Sequence, residues 1–111
     1  MSSQSQPVAV DNLIKAIVRG GKVVIGYRRA SKMLKLGRLK AVILAEGSPR
    51  SIASDIEYYA RLGGVPLVIY KRSSMDLGGL LGKPFPVSVI GVVDPGNVNI
   101  DLLESMSANR G

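Results

Sequence analysis

Neither cysteine nor histidine occurs in the chain, tryptophan is absent, and phenylalanine occurs once. Without cysteine there are no disulfides and no thiolate metal sites, a pattern that leans towards an intracellular protein. Without histidine the commonest general base and metal ligand is missing. Acyl transfer would then need a Ser–Lys pair or a carboxylate, and no such signature stands out. Asp55 and Glu57 lie two apart on an expected helix, so they do not face each other and read as surface solvation and ion pairing. Gly82-Lys83 lacks the rest of a phosphate loop, because Leu77 stands at the first glycine position and Pro84 follows the lysine. Gly20-Gly21-Lys22 fails too, since it precedes a strand instead of opening a helix. The expectation is a chain that is not an enzyme, with no metal, no cofactor and no small-molecule substrate.

Long hydrophobic runs are missing as well. None approaches the ~18–20 apolar residues of a membrane span. The opening MSSQSQPVAV carries neither the basic nor the apolar region of a secretory signal. No membrane partner is expected. Apolar residues still make up 46% of the 111, in separated short runs of Val, Ile and Leu, enough for one core and one domain.

Acidic residues are the other shortage. Fifteen Lys and Arg face eight Asp and Glu, a formal charge of +7, and no acid occurs between Asp11 and Glu46. Nine of the fifteen cations lie in residues 15–40. A basic excess this concentrated is the footprint of a phosphate-rich partner such as nucleic acid. The competing reading is a basic surface kept for solubility.

Hydrophobic spacing gives the element order. Asp11 is placed as the cap of a helix with Leu13, Ile14, Ile17 and Val18 on one face, ended by Gly20-Gly21. A strand is expected over 22–26 and a helix over 27–36. That helix turns Ala30, Met33 and Leu34 inward and Arg28, Lys32 and Lys35 outward. The run AVILA after Lys40 reads as a strand covered on both faces. A loop at 46–50, a helix to 62, and a strand over 67–70 follow. Ser73 opens a short helix to 81 in a capping-box pattern with Asp76. A stiff loop, GKPFP, then leads to a strand over 87–93 and a helix over 99–106. Helices alternating with four apolar strands predict a single-domain three-layer α/β/α sandwich around a small four-stranded mixed sheet. Flexible tails are expected at 1–8 and 107–111, around an α/β/α domain at 9–106.

Gly26 stands where the first strand opens into the basic helix. A helix N-terminus offers free N–H groups and partial positive charge to a phosphate or a base edge. Strand ends accept Val, so the glycine is read as removing a Cβ that would keep a partner's backbone away, the competing reading being a mere strand-to-helix turn. Arg28 and Lys32, one turn apart, add charge on the outward side. Phe85 is held between Pro84 and Pro86 and follows Lys83. It either plugs the end of the core or forms a preset stacking platform for an unpaired base.

These stretches match a familiar pattern. GGKVVIGYRRASKMLKLGRLKAVILA resembles the strand–Gly-Tyr–basic helix–strand segment of the ribosomal protein thirty family of the large subunit, archaeal and eukaryotic type. DIEYYARL, LGGLLGKP and VVDPG resemble further blocks of that family, in the same order, so that residues 11–96 are covered. The resemblance implies an α/β/α protein of the cytoplasmic ribosome that binds ribosomal RNA among neighbouring ribosomal proteins. The wider superfamily binds kink-turns, internal loops with tandem sheared G·A pairs and an extruded base. Three contact regions are implied. The first is the junction Gly26, Tyr27, Arg28, Arg29 and Lys32, where Arg28 and Arg29 replace the superfamily's Asn-Glu. The second is Gly47, Ser48 and Arg50, with Gly47 at the position of a common guanine-binding Asn. The third is Gly82, Lys83, Pro84, Phe85 and Pro86, whose aromatic matches the stacking residue of some members. The alternatives are a kink-turn protein of a guide-RNA or RNA-processing particle, and a small nucleotide-dependent α/β enzyme.

Overall fold

The computed structural model describes residues 8–108. The expected tails fall almost wholly outside the described residues, except that Val8 opens the first helix and Ala108 closes the last. The element order is α1 (Val8–Gly20), β1 (Lys22–Ile25), α2 (Tyr27–Lys35), β2 (Ala41–Ala45), α3 (Arg50–Gly63), β3 (Leu67–Tyr70), α4 (Ser74–Leu80), β4 (Val89–Asp94) and α5 (Ile100–Ala108).

The four strands form one mixed sheet in the order β1-β4-β2-β3. β4 is antiparallel to both β1 and β2, while β2 and β3 are parallel. Strands β1, β2 and β3 therefore all point one way, and β4 alone returns. The AVILA run is buried throughout, with alternate residues facing opposite cores. Ala41, Ile43 and Ala45 meet Ile14 and Ile17 of α1, Leu77 of α4 and Leu103 of α5. Val42 and Leu44 meet Ala30 and Leu34 of α2, and Ile56 and Ala60 of α3. Two helical layers thus sandwich the sheet, because a strand apolar on both faces needs cover on both.

Three local details differ from expectation. α1 starts three residues before Asp11, because buried Val10 extends the Ile14–Ile17 stripe by another turn. Asp11 stands in the first turn and complements the helix dipole instead of capping it. β4 starts at Val89, not 87, since the Val87 N–H donates to the Ser74 carbonyl on α4 at 2.9 Å and not to a strand. α5 is opened by Asn99, whose side-chain oxygen accepts the N–H groups of Asp101 and Leu102 at 2.9 and 3.3 Å. The Ser73 cap holds as expected, its Oγ accepting the Asp76 N–H at 3.0 Å.

Candidate nucleic-acid interface

Because β1, β2 and β3 run in one direction, their C-terminal ends share one end of the sheet with the start of β4. At that end the chain passes into α2 at Gly26, into α3 at Pro49, and into α4 at Ser73. The first two expected contact regions, far apart in sequence, are brought together there, and the third leads into that end through Ser88. Short bonds stitch them. The Gly26 N–H donates to the Val89 carbonyl and the Ala45 N–H to the Ser88 carbonyl, both at 2.9 Å. The Ser74 and Ser88 hydroxyls lie 2.9 Å apart. Ser48 Oγ donates to the Ala45 carbonyl at 2.6 Å, so this hydroxyl proton holds the loop in place. Gly47 and Arg50 remain exposed beside it.

Helices α2 and α3 arrive at this end without side-chain caps and without an acid in the first turn. Their leading N–H groups are the donors an anion would use. Gly26 has φ 108° and ψ 150°, a region that essentially only glycine occupies. A Cβ built on it would meet nothing within 4 Å. The close-approach reading therefore keeps its open space, but the expectation that Val is tolerated is overturned by the backbone. Gly26→Val should cost about 1–3 kcal/mol of stability. Denaturant titration checks this, and wild-type stability in the variant would refute the strain argument.

Arg28, Arg29 and Lys32 are all exposed on the first turns of α2. Tyr27 is turned the other way. Its hydroxyl donates to Asp55 Oδ2 on α3 at 2.6 Å, and the Ser31 hydroxyl lies 3.4 Å from the same oxygen. Asp55 is thus half-buried and holds α2 to α3, which corrects the reading of it as surface solvation. The hydrogen bond to Asp55, then partial burial and the carboxylate's charge, raise the Tyr27 hydroxyl above its usual 10.0. The folded state retains that proton more tightly, so this contribution is present below pH 10.0 and is lost as the pH rises above it. Spacing held the clue: Tyr27 and Ser31 are four apart, so both hydroxyls emerge on one helix face. Lys35, expected among the outward cations, has its Nζ 4.8 Å from the centre of the Tyr59 ring.

The third region is built on α4. Gly82, at φ 74°, reverses the chain after the helix. The Gly82 N–H bonds the Gly79 carbonyl at 3.0 Å and the Lys83 N–H bonds the Gly78 carbonyl at 2.9 Å, a Schellman closure. The loop then lies directly on the helix, since a Cβ on Gly78 would fall 2.0 Å from the Phe85 carbonyl oxygen. Phe85 itself is 48% exposed, so it is not a plug of the core. Lys83, Pro84 and Pro86 are exposed around it. Sequence reasoning did not single out Gly78, Ser74 or Ser88, because their roles depend on which loops meet.

The sequence profile of the ribosomal protein L7Ae/L30e/S12e/Gadd45 family matches residues 8–102. The chain belongs to that family. Three relatives carry the name large ribosomal subunit protein eL30. That of Aeropyrum pernix is 34% identical over 93 residues, covering 84% of this chain and 93% of the relative. That of Saccharolobus solfataricus is 40% identical over 95 residues, 86% and 88% of the two chains. That of Methanocaldococcus jannaschii is 41% identical over 91 residues, 82% and 83%. The three expected contact regions of this L7Ae/L30e-family chain lie inside the matched span.

Proposed function

We propose that the chain is a structural, non-catalytic constituent of the large ribosomal subunit, working in the cytoplasm beside other ribosomal proteins. It binds ribosomal RNA at a kink-turn-like internal loop. The observation that carries the binding site is the meeting of two features at one sheet end, with a third on the loop that leads into it. These are the uncapped N-terminus of α2 behind Gly26, the exposed Gly47–Arg50 turn, and Phe85 presented in a proline-held loop. Their roles divide by chemistry. Helix N–H groups with Arg28, Arg29 and Lys32 receive phosphates. Arg50 and the Gly47 backbone face base edges, in place of the side chain that Gly47 lacks. Phe85, beside Lys83, stacks on the extruded base. The names of the eL30 relatives support the ribosomal setting.

Co-sedimentation of the tagged chain with large subunits tests the setting. Titration of a kink-turn RNA tests the site. Each phosphate contact releases counterions, so affinity should fall linearly on a log–log plot against salt. Arg28→Glu together with Lys32→Glu should flatten that slope by about 0.9 per lost contact, so by roughly 2. Binding that ignored salt between about 50 and 200 mM would contradict the electrostatic role of α2.

A further inference from the structure

The acid-free stretch does not end at the interface. Helix α2 carries the chain away from it and delivers Arg38 and Lys40 to the opposite end of the sheet, where β2 begins. Both are exposed. They border a cleft of about 400 Å³ whose other walls are Met33, Gly37, Leu39 and Val93, with no carboxylate among them. The carboxylate that ends β4 is engaged elsewhere. Asp94 lies opposite Lys22 in the strand register, and its Oδ1 accepts the Gly96 N–H at 2.9 Å. Glu57 shares a separate cleft with Arg61. Arg38 and Lys40 therefore present uncompensated positive charge over an apolar wall.

We infer that this far end is a second RNA contact, so that the chain bridges two RNA segments, an internal loop at one end and the phosphates of a plain segment at the other. The inference rests on the RNA-binding reading above. Strand β2 has five residues, which at about 3.3 Å each separates Lys40 from Glu46 by roughly 20 Å. That exceeds twice the Debye length of about 8 Å at physiological salt, so the two ends act as independent electrostatic sites. Two cations beside an apolar wall suit phosphates with riboses against the Leu39 side. Once the interface end is anchored, a neighbouring segment of the same polyanion is held at high effective concentration, which favours RNA over a free acidic protein.

Immobilised kink-turn RNA is saturated with the full-length chain, and capture of a labelled plain RNA duplex is then measured. Wild type should capture it at about 50 mM salt. Arg38→Glu with Lys40→Glu should weaken capture at least about tenfold, while kink-turn affinity stays within about twofold. Both residues are exposed, and circular dichroism verifies the fold. In parallel, duplex binding by the free chain is followed with salt in wild type, the far-end pair, and Arg28→Glu with Lys32→Glu. The far-end pair should flatten the slope by roughly 2 in this arm as well. Failure of kink-turn binding alone would count against the proposed function, with the free-chain arm still deciding the second contact. Duplex binding unaffected by the far-end pair would overturn the inference. So would displacement of the duplex by polyglutamate of matched charge, which would mark a site for acidic protein.

Discussion

Phe85→Ala should weaken binding of a kink-turn RNA by roughly 1–3 kcal/mol, about ten- to a hundredfold or somewhat more, the range found for removing one base-stacking aromatic. Stability should change by less than about 1 kcal/mol, as for other surface substitutions. The exposure decides between the two outcomes. A buried Phe replaced by Ala leaves a cavity and costs on the order of 3–5 kcal/mol. Phe85 is 48% exposed and sits outside both core clusters, so no comparable cavity can open. Pro84 and Pro86 keep the loop backbone restricted with or without the ring. Thermal melts and RNA titrations on the same variant measure both quantities. A large loss of melting temperature with unchanged affinity in the folded fraction would sink the platform reading.

Gly78→Ala should be damaging although it adds a single methyl group to a helix. The new Cβ would lie 2.0 Å from the Phe85 carbonyl oxygen and 3.1 Å from its carbon, so backbone must move. Overpacking of this kind costs about 1–3 kcal/mol and sometimes more. In a domain of this size that corresponds to a fall of very roughly 5–20 °C in Tm. RNA affinity should fall too, because the displaced segment is the one that carries Phe85. The neighbouring residue supplies the control. A Cβ on Gly79 meets nothing within 4 Å, so Gly79→Ala should be neutral or stabilising by about 0.4–1 kcal/mol. Equal melting temperatures for the two variants would show that the loop does not rest on α4 as described.

Much of the architecture was legible because it is written in local periodicity. The AVILA run announced a strand covered on both faces, and it is buried from Ala41 to Ala45. The 3.6-residue spacing in α2 correctly separated Ala30 and Leu34 from Arg28 and Lys32. The family resemblance was legible for a related reason, since motif order and spacing are properties of the chain itself. Three expected contact regions were named from sequence, and the fold brings the first two to one end of the sheet.

What the sequence alone determined, then, was the succession of elements, their apolar faces, the family, and the concentration of positive charge. The tertiary structure decided whatever depends on residues distant in the chain. Strand order and the reversal of β4 follow from hydrogen bonds between separate segments, about which periodicity within one segment says nothing. Asp55 looked like a solvated carboxylate until two hydroxyls of α2 were found on it. Gly26 looked replaceable by Val until its φ of 108° showed a backbone that a side chain strains. Phe85 was a plug or a platform with equal reason, because exposure is set by what packs above a residue and not by its neighbours in sequence. The acid-free stretch read as one basic block, and the fold divided it between two ends of the sheet because a helix of nine residues had carried half of it away.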